Sequence, residues 1–253
     1  MRGEEPGEKE RLFELLIHDL TGPLSVIAVS TNNLLRRPEG GRALTGRQQA
    51  TLERILRNAR RSQTLLREMV EILQAEAGLF RNESFAVDRV VRESILEVLE
   101  VALHQAVDDL AQHTRPKAFF TRLESYGVFV QISGKYARAT FRHDHRKVQQ
   151  IVRNLLSNAL KHRRQRVDVK ISGDPDLVVS IADDGPGIPE PDQEAVFRRF
   201  VQLKGDANAA VPGLGLGLAG VRTLVDTMGG KITLVSPKRS GAELSVSIPP
   251  LGE

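Results

Sequence analysis

A histidine followed by a carboxylate near the N-terminus is the first candidate for chemistry. His18 lies two residues from both Leu16 and Leu20, which belong to an apolar pattern with helical spacing. At about 100° per residue, it therefore points away from that apolar stripe and toward solvent. Asp19 can accept a hydrogen bond from the Nδ1–H of the imidazole and leave Nε2 outward as a nucleophile. Pro23 cannot donate to the Asp19 carbonyl and should kink the helix just past the histidine.

Two carboxamides and a lysine form a second candidate group. Asn154 and Asn158 are four residues apart, and Lys161 follows three residues later, which places all three on one face of a helix. An amide oxygen together with phosphate oxygens suits Mg²⁺, so Asn158 is the predicted metal ligand, with Asn154 adjoining it. Lys161 can reach a phosphate as a point charge. Taken alone, such asparagines are more often surface residues of a helix.

Glycine-rich segments flank a further carboxylate and an arginine. Asp183 follows a strand-like run and precedes Gly185 and Gly187, whose lack of a side chain lets the backbone approach a base. Arg199 offers a fork to a γ-phosphate, beside two phenylalanines that we expect in the core. A later loop can wrap phosphates at the start of the next helix through three alternating glycines: Gly213, Gly215 and Gly217.

These segments, in this order, resemble the motifs of two-component sensor histidine kinases. The run from His18 to Leu24 is similar to their phosphoacceptor box. The other segments resemble the N, G1, F and G2 boxes of the ATP-binding domain that histidine kinases share with gyrase, chaperone and mismatch-repair ATPases: Asn154 to Lys161, Asp183 to Pro189, Phe197 to Phe200 and Gly213 to Leu218. The resemblance covers nearly the whole chain from Leu12 onward.

The resemblance implies an ATP-dependent, Mg²⁺-requiring protein-histidine kinase. Its nucleophile would be His18, and the phosphoryl group would pass to an aspartate of a separate response regulator receiver domain. By the same resemblance, Asp183 would accept a hydrogen bond from the adenine amino group, and the segment from about Val201 to Pro212 would close over the nucleotide. The hydrolysing ATPases carry a glutamate where this chain has Asn154. Attack by water is therefore disfavoured.

The chain departs from the family pattern at two positions. Gly22 stands where the family commonly has a threonine or asparagine that positions water. We therefore do not expect phosphatase activity by that route. His162 occupies a place where the family often has tyrosine. Two other function classes remain open at this point: a catalytically idle dimeric scaffold that binds nucleotide, and a hydrolysing ATPase, which Asn154 disfavours.

The elements that must position these residues fall into two predicted domains, 1–80 and 81–253, as a length of 253 residues allows. The first is an all-α helical hairpin. Its first helix runs from Leu12 to Leu34, and a capping box of Thr45 and Gln48 opens the second helix, which ends near Gly78. Each helix has one apolar stripe, and a second copy would cover the apolar surface that a single hairpin leaves exposed to solvent. The sequence therefore predicts a homodimer with a four-helix bundle.

The second domain has the pattern of an α+β sandwich, with helices on one face of a sheet. It is the ATP-binding sandwich of the histidine kinase, gyrase and chaperone type that the resemblance implies. We expect Asp88 to cap its first helix and a second helix to run from about Asp144 to His162. A third helix should run from about Gly217 to Met228. Strands are expected at 128–132, 137–141, 167–171 and 177–182 and near Ile232 and Leu244. Residues 100–126 fit either one long broken helix or a helix and a loop.

Composition excludes several classes of function. The absence of cysteine rules out disulfides and thiolate metal sites. The net charge of +4 is spread along the chain and aromatics are 4%, so a nucleic-acid partner is not expected. Apolar runs are shorter than the roughly 20 residues of a bilayer span, and no signal peptide is apparent, which favours a cytoplasmic location without a membrane segment. No sensor domain precedes Leu12. Input is therefore expected from an unknown partner, from the helix start, or from a longer natural protein.

Overall fold

The computed structural model describes residues 8–36, 44–76, 80–102, 110, 116–198, 201, 217–237 and 240–252. The chain divides into two units, Met1–Ala77 and Gly78–Glu253. This division lies three residues before the boundary expected from the sequence. Each unit is described by itself. Within the described ranges, no helix combines the length and apolarity needed to cross a membrane.

The first unit is a helical hairpin made of α1 (Glu8–Arg36) and α2 (Gly46–Glu76). Pro23 lies inside α1. The capping box at the start of α2 is confirmed, because the Thr45 amide donates to Gln48 Oε1 at 3.0 Å and the Gln48 amide donates to Thr45 Oγ1 at 3.3 Å. These reciprocal bonds satisfy amides that a helix start leaves without partners.

The hairpin buries part of its predicted stripes and leaves another part exposed. Thr31, Leu56 and Ala59 are buried between the two helices. By contrast, Leu20 is 51% exposed and Ile27 is 43% exposed, although both belong to the predicted stripe of α1. A single chain therefore leaves apolar surface of the hairpin uncovered. The homodimeric four-helix bundle stays a prediction.

The second unit joins helices to a mixed sheet, which confirms the α+β fold class. In chain order its elements are β1 (Glu83–Ala86), α3 (Val87–Ala102), α4 (Pro116–Leu123), β2 (Val128–Ile132), β3 (Thr140–His143), α5 (His145–His162), β4 (Val167–Ser172), β5 (Leu177–Asp183), α6 (Gly217–Thr227), β6 (Lys231–Val235) and β7 (Ala242–Ile248). The five-stranded sheet has the order β2-β4-β5-β7-β6, and β1 pairs with β3 separately. The β2 and β4 strands are parallel, and the other described pairs are antiparallel.

The core lies between one face of this sheet and the helices. Alternate residues of β4, β5 and β7 are buried, as expected for strands with one face turned inward. The α5 helix packs against β5 and α6. Its buried apolar residues are Val148, Ile151, Val152, Leu155, Leu156 and Ala159. This face fixes the rotation of α5 about its axis and hence the side on which its polar residues lie.

Three local expectations need correction or completion. Asp88 does not precede its helix but lies in the first turn of α3, which begins at Val87. The strand expected at 137–141 begins instead at Thr140, because Lys135–Ala137 forms a short 3₁₀ turn around buried Tyr136. Within 100–126, the described parts are helical up to Ala102, at Leu110 and from Pro116 to Tyr126. The choice between a broken helix and a loop there lies partly outside the described residues.

Acid should destabilise the second unit through His143. This side chain is fully buried, and its Nδ1 accepts the Asp144 amide at 2.8 Å. Burial lowers the pKa of His143, although the Asp144 charge partly opposes this shift. The unfolded chain therefore binds the proton first as the pH falls below about 6.5, and stability decreases in that direction.

Urea unfolding followed by tyrosine fluorescence checks this prediction, since both tyrosines, Tyr126 and Tyr136, lie in the second unit. The urea concentration at the unfolding midpoint should be lower at about pH 5.5 than at about pH 7.5. The difference between the two pH values should be smaller in His143→Phe. An equal fall in the variant would contradict the prediction.

Candidate nucleotide site

The asparagine helix α5 begins at a defined cap and carries its polar residues beside the apolar face. The Asp144 side chain accepts from the amides of Arg146 and Lys147. Asn154 and Asn158 are half-buried, and Lys161 is exposed. Among the described residues, neither asparagine side chain makes a hydrogen bond. Two polar amides at the edge of the core are thus available to a ligand.

Asp183 is the last residue of β5, and its side chain bonds to a backbone amide two residues later. Its Oδ1 accepts the Gly185 amide at 2.8 Å. Burial raises the pKa of Asp183, while that hydrogen bond and the charge of His162 act in the opposite direction. The half-buried carboxylate can accept a hydrogen bond from a neutral donor such as an aromatic amino group.

The end of α5 lies directly against the turn after β5. A Cβ placed on Gly185 would lie 2.4 Å from the His162 carbonyl oxygen and 2.5 Å from Asp183 Oδ1. The backbone therefore approaches too closely for any side chain at position 185. The structure thus brings together the helix that carries Asn154, Asn158 and Lys161 and the turn that carries Asp183.

Asp184 was not singled out from the sequence, yet it holds the loop after α5. Its Oδ1 accepts the amides of Arg164 at 2.8 Å, Gln165 at 3.0 Å and Arg166 at 3.0 Å. Desolvation raises the pKa of Asp184, but the three amides together outweigh it and lower the pKa. These bonds fix the loop between α5 and β4 to the turn that contains Asp183. Their partners lie about twenty positions earlier, so local spacing gave no sign of them.

Ser236 and Gly241, which the sequence reasoning also missed, hold the loop that follows the Asp183 turn. Gly187 has φ +77°, and the next amide, of Ile188, donates to Ser236 Oγ at 2.7 Å. Ser236 Oγ in turn donates to the Gly241 carbonyl at 2.8 Å. A Cβ on Gly241 would lie 1.8 Å from the Asp183 carbonyl oxygen. The segment before β7 therefore supports the back of the Asp183 turn.

The remaining predicted site residues are described in part. Phe197 is half-buried instead of lying in the core, and the Arg222 guanidinium lies 5.4 Å from the centre of its ring. Gly217 is the first residue of α6, and a Cβ there would meet nothing within 4 Å. Several predicted residues lie outside the described residues: Arg199, Phe200, Gly213, Gly215 and most of the 201–212 segment.

His18 and Asp19 lie in α1, in the other unit. Their side chains are outside the described part of the chain. The solvent-facing imidazole therefore stays a prediction.

The donor set fits a metal that arrives with a nucleotide. In the described ranges, no group of three or more acidic or histidine side chains is placed to hold a metal ion. A protein cage for Mg²⁺ is therefore absent from these ranges. The amides of Asn154 and Asn158 suit a Mg²⁺ ion that keeps waters and takes its other ligands from phosphates.

Replacement of Asp183 by asparagine should weaken nucleotide binding. The variant side chain can keep one oxygen for the Gly185 amide but then presents an NH₂ group where adenine would also donate. Loss of a hydrogen bond to a charged group costs roughly 1.5–3 kcal/mol, or about 10- to 150-fold in affinity. Titration with a fluorescent ATP analogue measures the effect, and Asp226→Asn on the exposed side of α6 is the matched control. Equal affinities in both variants would show that the Asp183 assignment is wrong.

Comparison with known proteins agrees with this geometry. Residues 143–252 match the family described as "Histidine kinase-, DNA gyrase B-, and HSP90-like ATPase". The "Circadian input-output histidine kinase CikA" of Thermosynechococcus vestitus is 28% identical over 248 residues, which are 97% of this chain and 31% of that protein. The "Adaptive-response sensory kinase SasA" of Synechococcus sp. (strain CC9311) is 27% identical over 246 residues, covering 95% of this chain and 57% of that protein. The chain thus spans less than a third of the CikA relative.

Solved structures share the fold. The crystal structure of full-length ShkA in complex with AMPPNP has a TM-score of 0.66 at 20% identity and covers 96% of this chain and 46% of that chain. The Acinetobacter baumannii histidine kinase AdeS has a TM-score of 0.53 at 19% identity, with 93% and 98% coverage. The resemblance noted from the sequence motifs is confirmed: residues 143–252 match the histidine kinase-, gyrase- and HSP90-like ATPase family, and nearly the whole chain is similar to the catalytic core of sensor histidine kinases.

Proposed function

We propose that this chain is an ATP-dependent protein-histidine kinase that phosphorylates its own His18 and then an aspartate of a separate response regulator. The observation that carries the proposal is the junction of α5 with the Asp183 turn. There, two half-buried asparagine amides without protein partners among the described residues lie on the helix that ends against the half-buried carboxylate of Asp183. Such an arrangement has amide oxygens for a phosphate-bound metal and an acceptor for a base.

The chemistry follows from the groups present. Asn154, in place of a carboxylate, cannot take a proton from water, which favours transfer over hydrolysis. Mg²⁺, when bound by Asn158 and adjoining Asn154, would offset the negative charge of the phosphates. Lys161, and Arg199 from beyond the described residues, would add positive charge. Gly185 and Gly187 would admit the base, and Gly213, Gly215 and Gly217 would wrap the phosphates.

The transfer itself needs one nucleophile and no external base. The Nε2 lone pair of His18 forms a bond to the γ-phosphorus, and the bond from that phosphorus to the β–γ bridging oxygen breaks. ADP leaves with that electron pair. The Nδ1 proton stays on the ring, where Asp19 orients it and stabilises the positive imidazole.

The hairpin offers surface for two kinds of protein contact. Leu20 and Ile27, seven residues apart on α1, together with Ile55 on α2, are exposed apolar residues that a second copy would cover. Positions 18, 22, 26 and 29 follow a different line along α1, with spacings of four, four and three residues. Val26 is 64% exposed and Val29 is 59% exposed on that line. A receiver domain that approaches position 18 would contact these valines.

Incubation of the full chain with γ-labelled ATP tests the proposal. Label on the protein that is lost in acid and kept in alkali indicates phosphohistidine and supports the kinase. Bound nucleotide without protein label would support the idle scaffold instead, and free phosphate without protein label would support a hydrolysing ATPase. Asn158→Ala should abolish labelling, and full labelling in that variant would contradict the assignment of the metal ligand.

A further inference from the structure

The segment that enters the second unit is fastened to the start of the asparagine helix. This junction segment comprises residues 80–83, and it follows the division between the two units at Ala77 and Gly78. The Arg81 amide donates to Asp144 Oδ2 at 3.0 Å. Asp144 is 4% exposed and Arg81 is exposed, so this bond is partly buried. The backbone of the junction segment is thus hydrogen-bonded to a buried carboxylate.

The same carboxylate caps the helix. Asp144 Oδ1 accepts the amides of Arg146 at 3.0 Å and Lys147 at 3.2 Å in the first turn of α5. One oxygen therefore fixes the helix start while the other fixes the junction segment. A carboxylate can do both because each of its oxygens is an acceptor.

Neighbouring contacts keep the two segments side by side. The Phe80 ring lies 5.3 Å from the fully buried His143 ring, in an edge-on arrangement. Arg142 Nε donates to Asn82 Oδ1 at 2.8 Å. Successive residues of the junction thus lie along residues 142–144, immediately before α5.

We propose that Asp144 is a positioning residue for phosphoryl transfer, because it fixes the chain that leaves the histidine hairpin to the first turn of the nucleotide helix. This proposal rests on the proposed function. Phosphoryl transfer needs the reacting atoms about 3–3.5 Å apart and aligned. His18 and the residues proposed to bind the nucleotide belong to different units. The number of residues between the end of the hairpin and the first fixed position of the second unit therefore limits how often the reacting groups meet productively.

Chain length gives the expected size of the effect. With the junction fixed from Phe80, three residues separate it from the end of α2 at Glu76, and three residues span at most roughly 10 Å. If the segment is released as far as β1 at Glu83, six residues separate α2 from the fixed part of the second unit, and six residues span at most roughly 20 Å. Effective concentration falls as about the −3/2 power of linker length, so doubling the length lowers it about threefold. Loss of alignment adds to this. Together, the lower effective concentration and the loss of alignment should slow phosphoryl transfer about three- to tenfold.

Asp144→Asn separates the two roles of the carboxylate. Asparagine is as good a helix cap as aspartate, so its oxygen can keep the amides of α5. Its NH₂ group then faces the Arg81 amide, and two donors cannot bond. Arg81→Pro removes the N–H donor of this hydrogen bond. Arg81→Ala keeps the N–H and is the matched control.

The initial rate of His18 labelling is measured in full-length variants at saturating MgATP, together with nucleotide affinity and amide exchange at Arg81. Asp144→Asn and Arg81→Pro should label three- to tenfold more slowly, with about unchanged nucleotide affinity and faster exchange in the junction segment. Arg81→Ala should match the wild type. A purely structural role would instead lower nucleotide affinity and melting temperature together.

Three results would overturn the positioning role: wild-type labelling rates in Asp144→Asn and Arg81→Pro, an Arg81 amide still protected in Asp144→Asn, or nucleotide affinity that falls in parallel with labelling. A wild-type chain that takes no label on His18 would overturn the kinase proposal as well. That result is distinguishable, since it appears before any variant is compared.

Discussion

His18→Ala is expected to lose all acid-labile phosphoryl label while keeping its affinity for nucleotide. The alanine removes the imidazole nitrogen that is proposed to accept the phosphoryl group, whereas the candidate nucleotide site at α5 and the Asp183 turn belongs to the other unit. The label should fall to background, and binding of a fluorescent ATP analogue should stay about as in the wild type, within about twofold.

The matched control for this variant is Asn33→Ala, an exposed position farther along α1. It should retain full labelling. Residual acid-labile label in His18→Ala would place the phosphoacceptor on another histidine of the chain. Loss of nucleotide binding in the same variant would show that the hairpin contributes to the nucleotide site, contrary to the proposed division of roles.

Gly185→Ala is expected to weaken nucleotide binding strongly with the second unit still folded. The new Cβ would lie 2.4 Å from the His162 carbonyl oxygen, which belongs to backbone and cannot rotate away. Either the end of α5 or the Asp183 side chain must move. Overpacking of this kind costs about 1–3 kcal/mol in stability. Displacement of Asp183 should weaken binding of the ATP analogue by at least about tenfold.

Gly252→Ala is the matched control, because a Cβ there meets nothing within 4 Å. Urea unfolding followed by tyrosine fluorescence separates a folded variant that cannot bind from an unfolded one. Wild-type affinity in a folded Gly185→Ala chain would contradict the close approach of α5 to the Asp183 turn.

Patterns that depend on neighbouring residues could be predicted from the sequence. The Thr45 and Gln48 capping box is formed, and α5 ends at His162 as expected. The apolar spacing within α5 predicts the face that is buried. Each of these features is decided within about one helical turn, where the periodicity and hydrogen bonding of a helix are known in advance.

Features that depend on distant partners could not be predicted in this way. The amides that Asp184 accepts come from a loop eighteen to twenty residues earlier, and Gly241 meets the backbone of Asp183 across the sheet. The burial of Asp144 against Arg81 joins residues 63 positions apart. Sequence spacing carries no signal for such pairs, because strand order and loop path decide them. Leu20 and Ile27 illustrate the converse, since an apolar stripe does not say which chain will cover it.

The uncovered Leu20 and Ile27 make the behaviour of the hairpin depend on abundance. Covering the exposed half of such a leucine or isoleucine would stabilise the proposed dimer by roughly 1 kcal/mol, and that gain comes only when two copies meet. Dilution therefore separates chains that crowding would join. If the hairpin pairs as proposed, the fraction of paired chains would therefore rise with the amount of protein that a cell makes.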